Sequence, residues 1–219
     1  MSCHYLSYPL SMNSPRPPAI PAPEISEFLS IKKDDANVQK ITFYNHTGTH
    51  LDTAAHVIAD GVSIEKFSIS DLIFTNIAVI ELDLPDCHHI MPEDFSKHEN
   101  KLKNCDMAIF KLGTEKIRKN DHERFSNNMP GFTVCAAEYM RGNFKNLRCL
   151  GTDLPSFSVI SNLNDTMKAH NTFLKGNENK MLIIEEMKLD DLKPYYEKIM
   201  ICPWMIENMN SGPCTVIAM

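Results

Sequence analysis

The densest cluster of potential metal ligands in the sequence lies in residues 46–61, which read HTGTHLDTAAHVIADG. Within eleven residues this stretch holds His46, His50, Asp52 and His56. Imidazole nitrogens and carboxylate oxygens are the donors that zinc, manganese and similar divalent ions accept. A chain that uses these donors together has to fold so that they converge, and we therefore predict a divalent-metal site here.

The spacing of the donors indicates a bent strand and not a helix. All four positions are even-numbered, so they share one face of an extended strand. A straight strand rises about 3.3 Å per residue, which puts His46 and His50 roughly 13 Å apart, so one ion binds both only if the chain bends. Gly48 lies midway and tolerates such a bend. A helix would turn the other two donors away from His46 and His50. The alternative is a polar strand and turn with one histidine satisfied inside the core.

Composition narrows the classes of protein that fit this chain. The 219 residues are 43% hydrophobic and 23% charged, as in ordinary globular proteins. The net charge of −6 disfavours nucleic acid as a partner. A run of about 18 apolar residues is lacking, so no membrane span is expected. The N-terminus has no secretory signal pattern, and the seven scattered cysteines indicate reduced thiols in the cytoplasm.

Residues 1–30 are expected to form an extended, proline-rich arm. Six of the thirteen prolines lie within residues 4–23, where they disfavour regular helix. A strap on the surface and a lid over a substrate are both compatible with this pattern.

The rest of the chain alternates predicted strands with a few helices. Residues 116–128 are dense in charge and are expected to form a solvated excursion, and His88 and His89 fit either a second metal site or solvated loop histidines. A helix predicted over residues 133–140 closes before Gly142. Strands are predicted near residues 41–44, 77–82, 107–114, 147–153, 181–187, 197–203 and 215–219, and a second helix over residues 165–174.

The cluster resembles the signature of the putative cyclase family of metal-dependent hydrolases, which includes bacterial kynurenine formamidase and isatin hydrolase. The family motif is H-x-G-T-H-x-D-x-P-x-H followed by D-G. It matches here except at Ala54, where the family usually has proline. Further similarity lies in residues 151–156, at His170 and in residues 183–192. Formamidases carry a tryptophan and a G-D-P turn in the arm, and this arm has neither.

The resemblance implies an α/β fold: a single compact β-rich swivelling domain of the β/β/α type, residues 1–219, with helices packed outside. It also implies a homodimer and one or two divalent ions, with Zn²⁺ expected and Mn²⁺ as the alternative. His56 would be the acid/base residue, and Asp52 and Glu185 would bridge two ions. The implied metal ligands are His46, His50, Asp52, His170 and Glu185.

The activity that the resemblance implies is metal-dependent hydrolysis of a C–N amide bond in a small aryl or cyclic amide, as in arylformamidases. An isatin-hydrolase-like opening of a lactam or cyclic ester is the alternative among enzymes. A metal-binding pseudoenzyme without turnover is a second class. The presence of His56 beside the ligands favours an enzyme, since metal binding alone does not need it.

Strand alternation independently selects Glu185 over Glu186 as the ligand. Successive strand residues face opposite sides, and the face that carries Glu185 is otherwise apolar. A lone carboxylate there is costly to bury unless it meets a cation. Glu186 is expected in water on the other face. The alternative is an irregular strand with both glutamates exposed.

Overall fold

The computed structural model of the chain describes residues 3–17, 19–160, 163–176 and 180–219, in which short strands alternate with helices. In chain order the strands are β1 (His4–Tyr5), β2 (Glu24–Leu29), β3 (Val38–Thr42), β4 (His50–Asp52), β5 (Ile73–Phe74), β6 (Ile77–Glu81), β7 (His89–Ile90), β8 (Met107–Lys111), β9 (Gly131–Phe132), β10 (Cys149–Thr152), β11 (Leu182–Glu185), β12 (Ile199–Pro203) and β13 (Ser211–Ala218). The helices are α1 (Ile31–Asp34), α2 (Pro92–Phe95), α3 (Glu99–Leu102), α4 (Glu115–Asn120), α5 (His122–Asn127), α6 (Val134–Asn143) and α7 (Leu163–Leu174). Turns of 3₁₀ helix span Ala54–His56, Ile64–Lys66, Ile69–Leu72 and Ser96–His98.

One mixed sheet organises the described part of the chain. Its strand order is β5-β12-β13-β4-β11-β10-β8-β6, with β1 beside β13. The strands β6, β8, β10 and β11 run parallel to one another, and helices connect them. The strands β5, β12, β13 and β4 pair antiparallel. The short strand β4 therefore lies at the junction of the two halves, hydrogen-bonded to β11 on one side and to β13 on the other.

The sheet has a hydrophobic core on each face. Strand β8 shows this directly, because Ala108 and Phe110 pack into one core and Met107 and Ile109 into the other. Strands buried on both faces read as continuous apolar runs, which is why this segment is recognisable as a strand in the sequence. Helices α6 and α7 cover the first face. Residues of β5, β12 and β13 share the second core with β8 and β11, so the sheet curls back over itself.

This architecture confirms the expected α/β fold with a β-rich centre and helices outside. The two longer helices form where the sequence predicts them. Thr133 caps α6 by accepting a hydrogen bond from the Ala136 backbone N–H at 3.2 Å. Helix α6 then continues through Gly142 to Asn143, so the predicted stop is wrong. Gly142 is exposed, and a single glycine costs a helix only about 1 kcal/mol.

Residues 116–128 are not a solvated excursion. They form most of α4 and all of α5, and Phe125 is fully buried in the first core. Most of the charged residues of these helices are exposed, and they hide one apolar anchor in the sequence pattern.

The N-terminal arm is partly strand. Strand β1 pairs with β13, and β2 pairs with β3 in a separate two-stranded hairpin. The last residues of the predicted arm thus form the extended strand β2. Within the ranges described, none of the helices is long and apolar enough to cross a membrane.

Candidate metal centre

The register of three neighbouring strands brings the donors together. His50 of β4 lies directly opposite Glu185 of β11, and Asp52 lies opposite Ser211 of β13. Residues directly opposite in an antiparallel pair point to the same face, so His50, Asp52 and Glu185 share one face of the sheet. All three strand positions are buried.

A bend at Gly48 brings His46 into the cluster. Gly48 has φ +69°, a left-handed conformation that glycine adopts without steric cost. As a result His46 Nδ1 lies 3.2 Å from His50 Nε2 and 3.3 Å from Asp52 Oδ1. Two nitrogens on one tetrahedral zinc lie about 3.3 Å apart, because each Zn–N bond is about 2.0–2.1 Å. The kinked strand that the spacing predicts is therefore present, with its donors at the separation that a shared ion requires.

Helix α7 supplies a further imidazole on its buried side. His170 is 2% exposed, and its Nε2 lies 3.1 Å from Glu185 Oε1. Its Nδ1 lies 2.8 Å from the carbonyl of Thr166, to which the ring donates. His50 is held in the same way, with Nδ1 2.9 Å from the carbonyl of Gly48. In the neutral rings such hydrogen bonds leave the lone pair on each Nε2, aimed into the cluster, as in histidine ligands generally.

The donors form two groups that share Asp52. One group is His46, His50 and Asp52, and the other is Asp52, His170 and Glu185; within each, the ligand atoms lie within 4.8 Å of one another. Asp52 is fully buried, and among the described residues neither of its oxygens accepts a well-formed hydrogen bond. A buried carboxylate without hydrogen bonds is costly unless it meets a cation. The residues present therefore fit a divalent ion.

The electrostatics of the cluster point the same way. Burial opposes protonation of His50, but the hydrogen bond to Glu185 and the charge of Asp52 outweigh it and raise the His50 pKa to about 10. Burial and Asp52 would raise the pKa of Glu185, yet His170 and His50 lower it to about 2. The pKa of Asp52 is lowered well below its usual value because His46 and His50 outweigh its burial. The carboxylates thus attract positive charge, which a bound cation would supply while leaving the imidazoles neutral.

His56 lies beside these groups and belongs to neither of them. Its ring centroid is 4.4 Å from that of His46 and 5.8 Å from that of His170. Burial lowers the pKa of His56, with Asp52 opposing that effect. A β-carbon at Gly61 would lie 2.3 Å from the carbonyl carbon of Ala54, so the loop that carries His56 closes only with glycine there.

A narrow apolar cavity of about 190 Å³ opens onto the donors. Pro17 and Ile20 of the N-terminal arm form part of its wall, so the arm covers the site and is not only a surface strap. Among the described lining residues there is no lysine or arginine. Ile20 carries no sequence signal of its own, because a single apolar side chain does not form a pattern. The remaining apolar wall residues are Pro155, Ile160, Leu163 and Met167.

Glu186 differs from expectation. It is buried at 4% exposure, not solvated, and its carboxylate accepts hydrogen bonds from Arg118 Nε at 2.9 Å and from a terminal guanidinium nitrogen at 2.5 Å. Strand β11 ends at Glu185, and Glu186 has φ +54°, which turns its side chain away from the donors. The alternative with both glutamates exposed is also wrong. Pairing with Arg118 of α4 is a long-range contact that strand alternation cannot reveal.

The adjacent pair His88 and His89 takes no part in a comparable group. His88 Nε2 lies 2.9 Å from Asp94 Oδ2, and within the residues described the two groups of three potential ligands are those that share Asp52. Sequence reasoning also missed two close neighbours of the donors. Ser211 Oγ lies 3.3 Å from His46 Nδ1, and the backbone N–H of Phe157 donates to Glu185 Oε1 at 2.6 Å.

Fold and site together define a β-rich α/β protein with a buried histidine–carboxylate cluster that fits a divalent ion. A family model described as "Putative cyclase" matches residues 5–159, and the chain belongs to this family. A kynurenine formamidase from Erythrobacter litoralis is 24% identical over 187 residues, which are 83% of this chain and 76% of that protein.

Solved structures share the fold. Isatin hydrolase A from Labrenzia aggregata matches with TM-score 0.82 and 18% identity, over 99% of this chain and 93% of that chain. A structure titled "predicted metal-dependent hydrolase", from Bacillus stearothermophilus, matches with TM-score 0.76 and 18% identity, over 99% of this chain and 97% of that chain.

Proposed function

We propose that the protein is a metal-dependent hydrolase that cleaves the C–N bond of a small apolar aryl or cyclic amide. The observation that carries the proposal is Asp52, a fully buried carboxylate at the centre of two ligand groups. The kynurenine formamidase and isatin hydrolase relatives support the same class of reaction.

His46, His50 and Asp52 would hold one ion, and Asp52, His170 and Glu185 a second. A bound divalent cation would polarise the amide carbonyl and lower the pKa of a water molecule toward about 7. The protein's part is to fix the donors: hydrogen bonds to carbonyl groups orient the rings of His50 and His170, and the Phe157 N–H orients Glu185. Zn²⁺ is the proposed ion, because imidazole and carboxylate suit it, with Mn²⁺ as the alternative.

His56 is proposed as the acid/base residue. It stands next to both ligand groups without belonging to either, which leaves an imidazole nitrogen free to take and return a proton. Burial favours its neutral form, which is the form that accepts a proton. A non-catalytic metal-binding protein would not need this residue.

The cavity supports a small, uncharged substrate. An apolar cavity of about 150 Å³ holds a benzene molecule. The cavity of about 190 Å³ therefore takes roughly one aromatic ring with a small amide group. Because no described lysine or arginine lines it, a substrate carboxylate would be buried there without a cationic side chain. The fold shared with isatin hydrolases supports a lactam as the second candidate.

The test is hydrolysis of formanilide and of isatin by protein loaded with Zn²⁺ or with Mn²⁺. Turnover of either substrate that disappears on chelation and returns with metal supports the proposal. Tight metal binding without turnover of any anilide or lactam would instead identify a pseudoenzyme.

We further propose that the chain is one hydrolase domain that forms a homodimer in the cytoplasm. All seven cysteines are free, which suits a reducing compartment.

The hairpin of β2 and β3 is exposed along nearly its whole length, with Phe28 71% and Ile41 47% exposed. A lone two-stranded hairpin is marginally stable in water, so a second copy of the chain is the proposed partner. Analytical sedimentation of the parent protein and of Phe28→Ser, which compares their oligomeric states, tests the proposed homodimer.

A further inference from the structure

One partly buried arginine, Arg118, connects the N-terminal arm to the end of strand β11. The guanidinium of Arg118 donates two hydrogen bonds to Glu186, whose side chain is 5% exposed. The face of the same guanidinium lies 3.6 Å from the ring centroid of Tyr8. The Arg118 guanidinium thus donates to a carboxylate and packs its flat face against an aromatic ring of the arm.

The arm is tied down as far as Tyr8. Leu6 accepts a hydrogen bond from the Lys188 backbone N–H at 3.0 Å. The Tyr8 backbone N–H donates to Thr49 Oγ1 at 3.0 Å, and this hydroxyl donates in turn to the Glu186 carbonyl at 2.6 Å. Tyr8 therefore touches both the residue before His50 and the partner of Glu186.

Beyond Tyr8 the arm is exposed or half-buried from Pro9 to Asn13, and Ser14 and Pro15 are buried again. An open groove of about 860 Å³ is lined by the arm, including Pro9 and Asn13, and by residues of α4, including Lys119. Farther along, the arm reaches the metal centre, where Pro17 and Ile20 form part of the wall of the apolar cavity. The hydrogen bonds at Leu6 and Tyr8 thus fix the arm upstream of this wall.

We propose that Arg118 is a positioning residue that holds the arm over the cavity by stacking on Tyr8, while Glu186 keeps the guanidinium in place. Its effect is on substrate binding and not on the metal or on proton transfer, because it contacts neither the ligands nor His56. The proposal concerns the cavity of the hydrolase proposed above and in that respect rests on it.

The decisive variant is Tyr8→Leu, because it removes the stacking partner and leaves the pair of Arg118 and Glu186 intact. Tyr8→Phe is the matched control, since it keeps the ring. A cation–π contact of this kind is worth about threefold to thirtyfold in an equilibrium constant. In the metal-loaded protein, Tyr8→Leu should speed amide hydrogen exchange of residues 10–16 by about that factor, and Tyr8→Phe should not.

Kinetics with formanilide give the second measurement. Tyr8→Leu should raise KM about threefold to thirtyfold with kcat and metal content near those of the parent. The single variant Arg118→Met would leave Glu186 as a buried, unpaired charge. The two substitutions Arg118→Met and Glu186→Met are therefore made together, so that both charges are removed. This double variant should match Tyr8→Leu, and adding Tyr8→Leu to it should have little further effect.

Arg124→Met serves as the control for loss of an arginine–carboxylate pair elsewhere. Arg124 lies on the neighbouring helix α5 and is exposed. Its guanidinium donates two hydrogen bonds to Asp86. This variant should change neither exchange nor KM. Unchanged exchange in Tyr8→Leu, or a fall in kcat or metal content at constant KM, would overturn the proposal. Hydrogen exchange tests the positioning role of Arg118 without any measurement of activity. A failure of the hydrolase assignment would show separately, because the parent protein would then hydrolyse no amide.

Discussion

His50 lies directly opposite Glu185 in the antiparallel pair of β4 and β11, and His50 Nε2 is 3.2 Å from Glu185 Oε2. Glu185 Oε1 in turn lies 3.1 Å from His170 Nε2. One carboxylate thus joins an imidazole on a strand to an imidazole on a helix. This link places the candidate metal site in the packing between the sheet and α7, so we expect metal binding to contribute to stability.

Removal of metal should lower both activity and thermal stability. Without a cation, Asp52 and Glu185 remain buried close together. A ligand at about 1,000 times its Kd stabilises a protein by about 4 kcal/mol, which for a chain of this length is roughly 10 °C in Tm. Thermal unfolding before and after chelation, with elemental analysis, measures the change. A protein that contains no metal and takes up none on soaking would contradict the metal centre.

His56→Ala and His50→Ala should differ in metal content. His56→Ala should keep its metal and lose about 10²–10⁴-fold in kcat, the usual contribution of a general acid–base group. His50→Ala should lose metal, because the strand ligand is gone. Elemental analysis and kinetics on both variants provide the comparison. Equal loss of metal in both would make His56 a ligand.

Glu185→Gln should lower the metal content, whereas Glu186→Gln should not. Glu185 contacts two imidazoles of the centre, while Glu186 faces Arg118. Glu186→Gln should instead destabilise the fold by about 2 kcal/mol, because Arg118 loses its buried counter-charge. Metal stoichiometry and chemical denaturation separate the two effects. The reverse pattern of metal loss would remove Glu185 from the centre.

N-formylkynurenine should be a poor substrate compared with formanilide. Its amino-acid group is charged, and the cavity of about 190 Å³ offers it neither room nor a described lysine or arginine. The arm also lacks the tryptophan that formamidases carry. Initial rates with the two substrates test this. A kcat/KM for N-formylkynurenine above about 10⁴ M⁻¹s⁻¹, the lower end of the usual range for enzymes, would refute the expectation.

Two glycine substitutions should act in opposite directions. Gly61→Ala places a β-carbon 2.3 Å from the Ala54 backbone and should destabilise the loop that carries His56, with loss of activity. Gly142→Ala adds a methyl group to an exposed site in α6 with no atom within 4 Å, and should stabilise the protein by about 0.5–1 kcal/mol. Thermal unfolding of both variants is sufficient. A stable, fully active Gly61→Ala would show that the loop adapts.

Much of the fold was predictable because its elements carry local patterns. The continuous apolar run of β8 and the threonine cap of α6 both identify their elements without reference to the rest of the chain. Helices α4 and α5 were missed because charges surround their single buried anchor, Phe125. The strand β2 was missed because its exposed hairpin has no regular alternation of buried and exposed residues.

The sequence by itself determined the local part of the centre: His46, His50 and Asp52 lie close along the chain, and one left-handed glycine between them suffices to make them converge. Only the tertiary structure decided what meets them. Glu185 reaches His50 through strand register, and His170 arrives on a helix packed against the sheet. Both residues lie more than 100 positions from His50 along the chain. Strand alternation could single out Glu185, but it could not show that these segments pair with or pack against β4. For the same reason the pairing of Glu186 with Arg118, in place of exposure to solvent, became evident only from the tertiary structure.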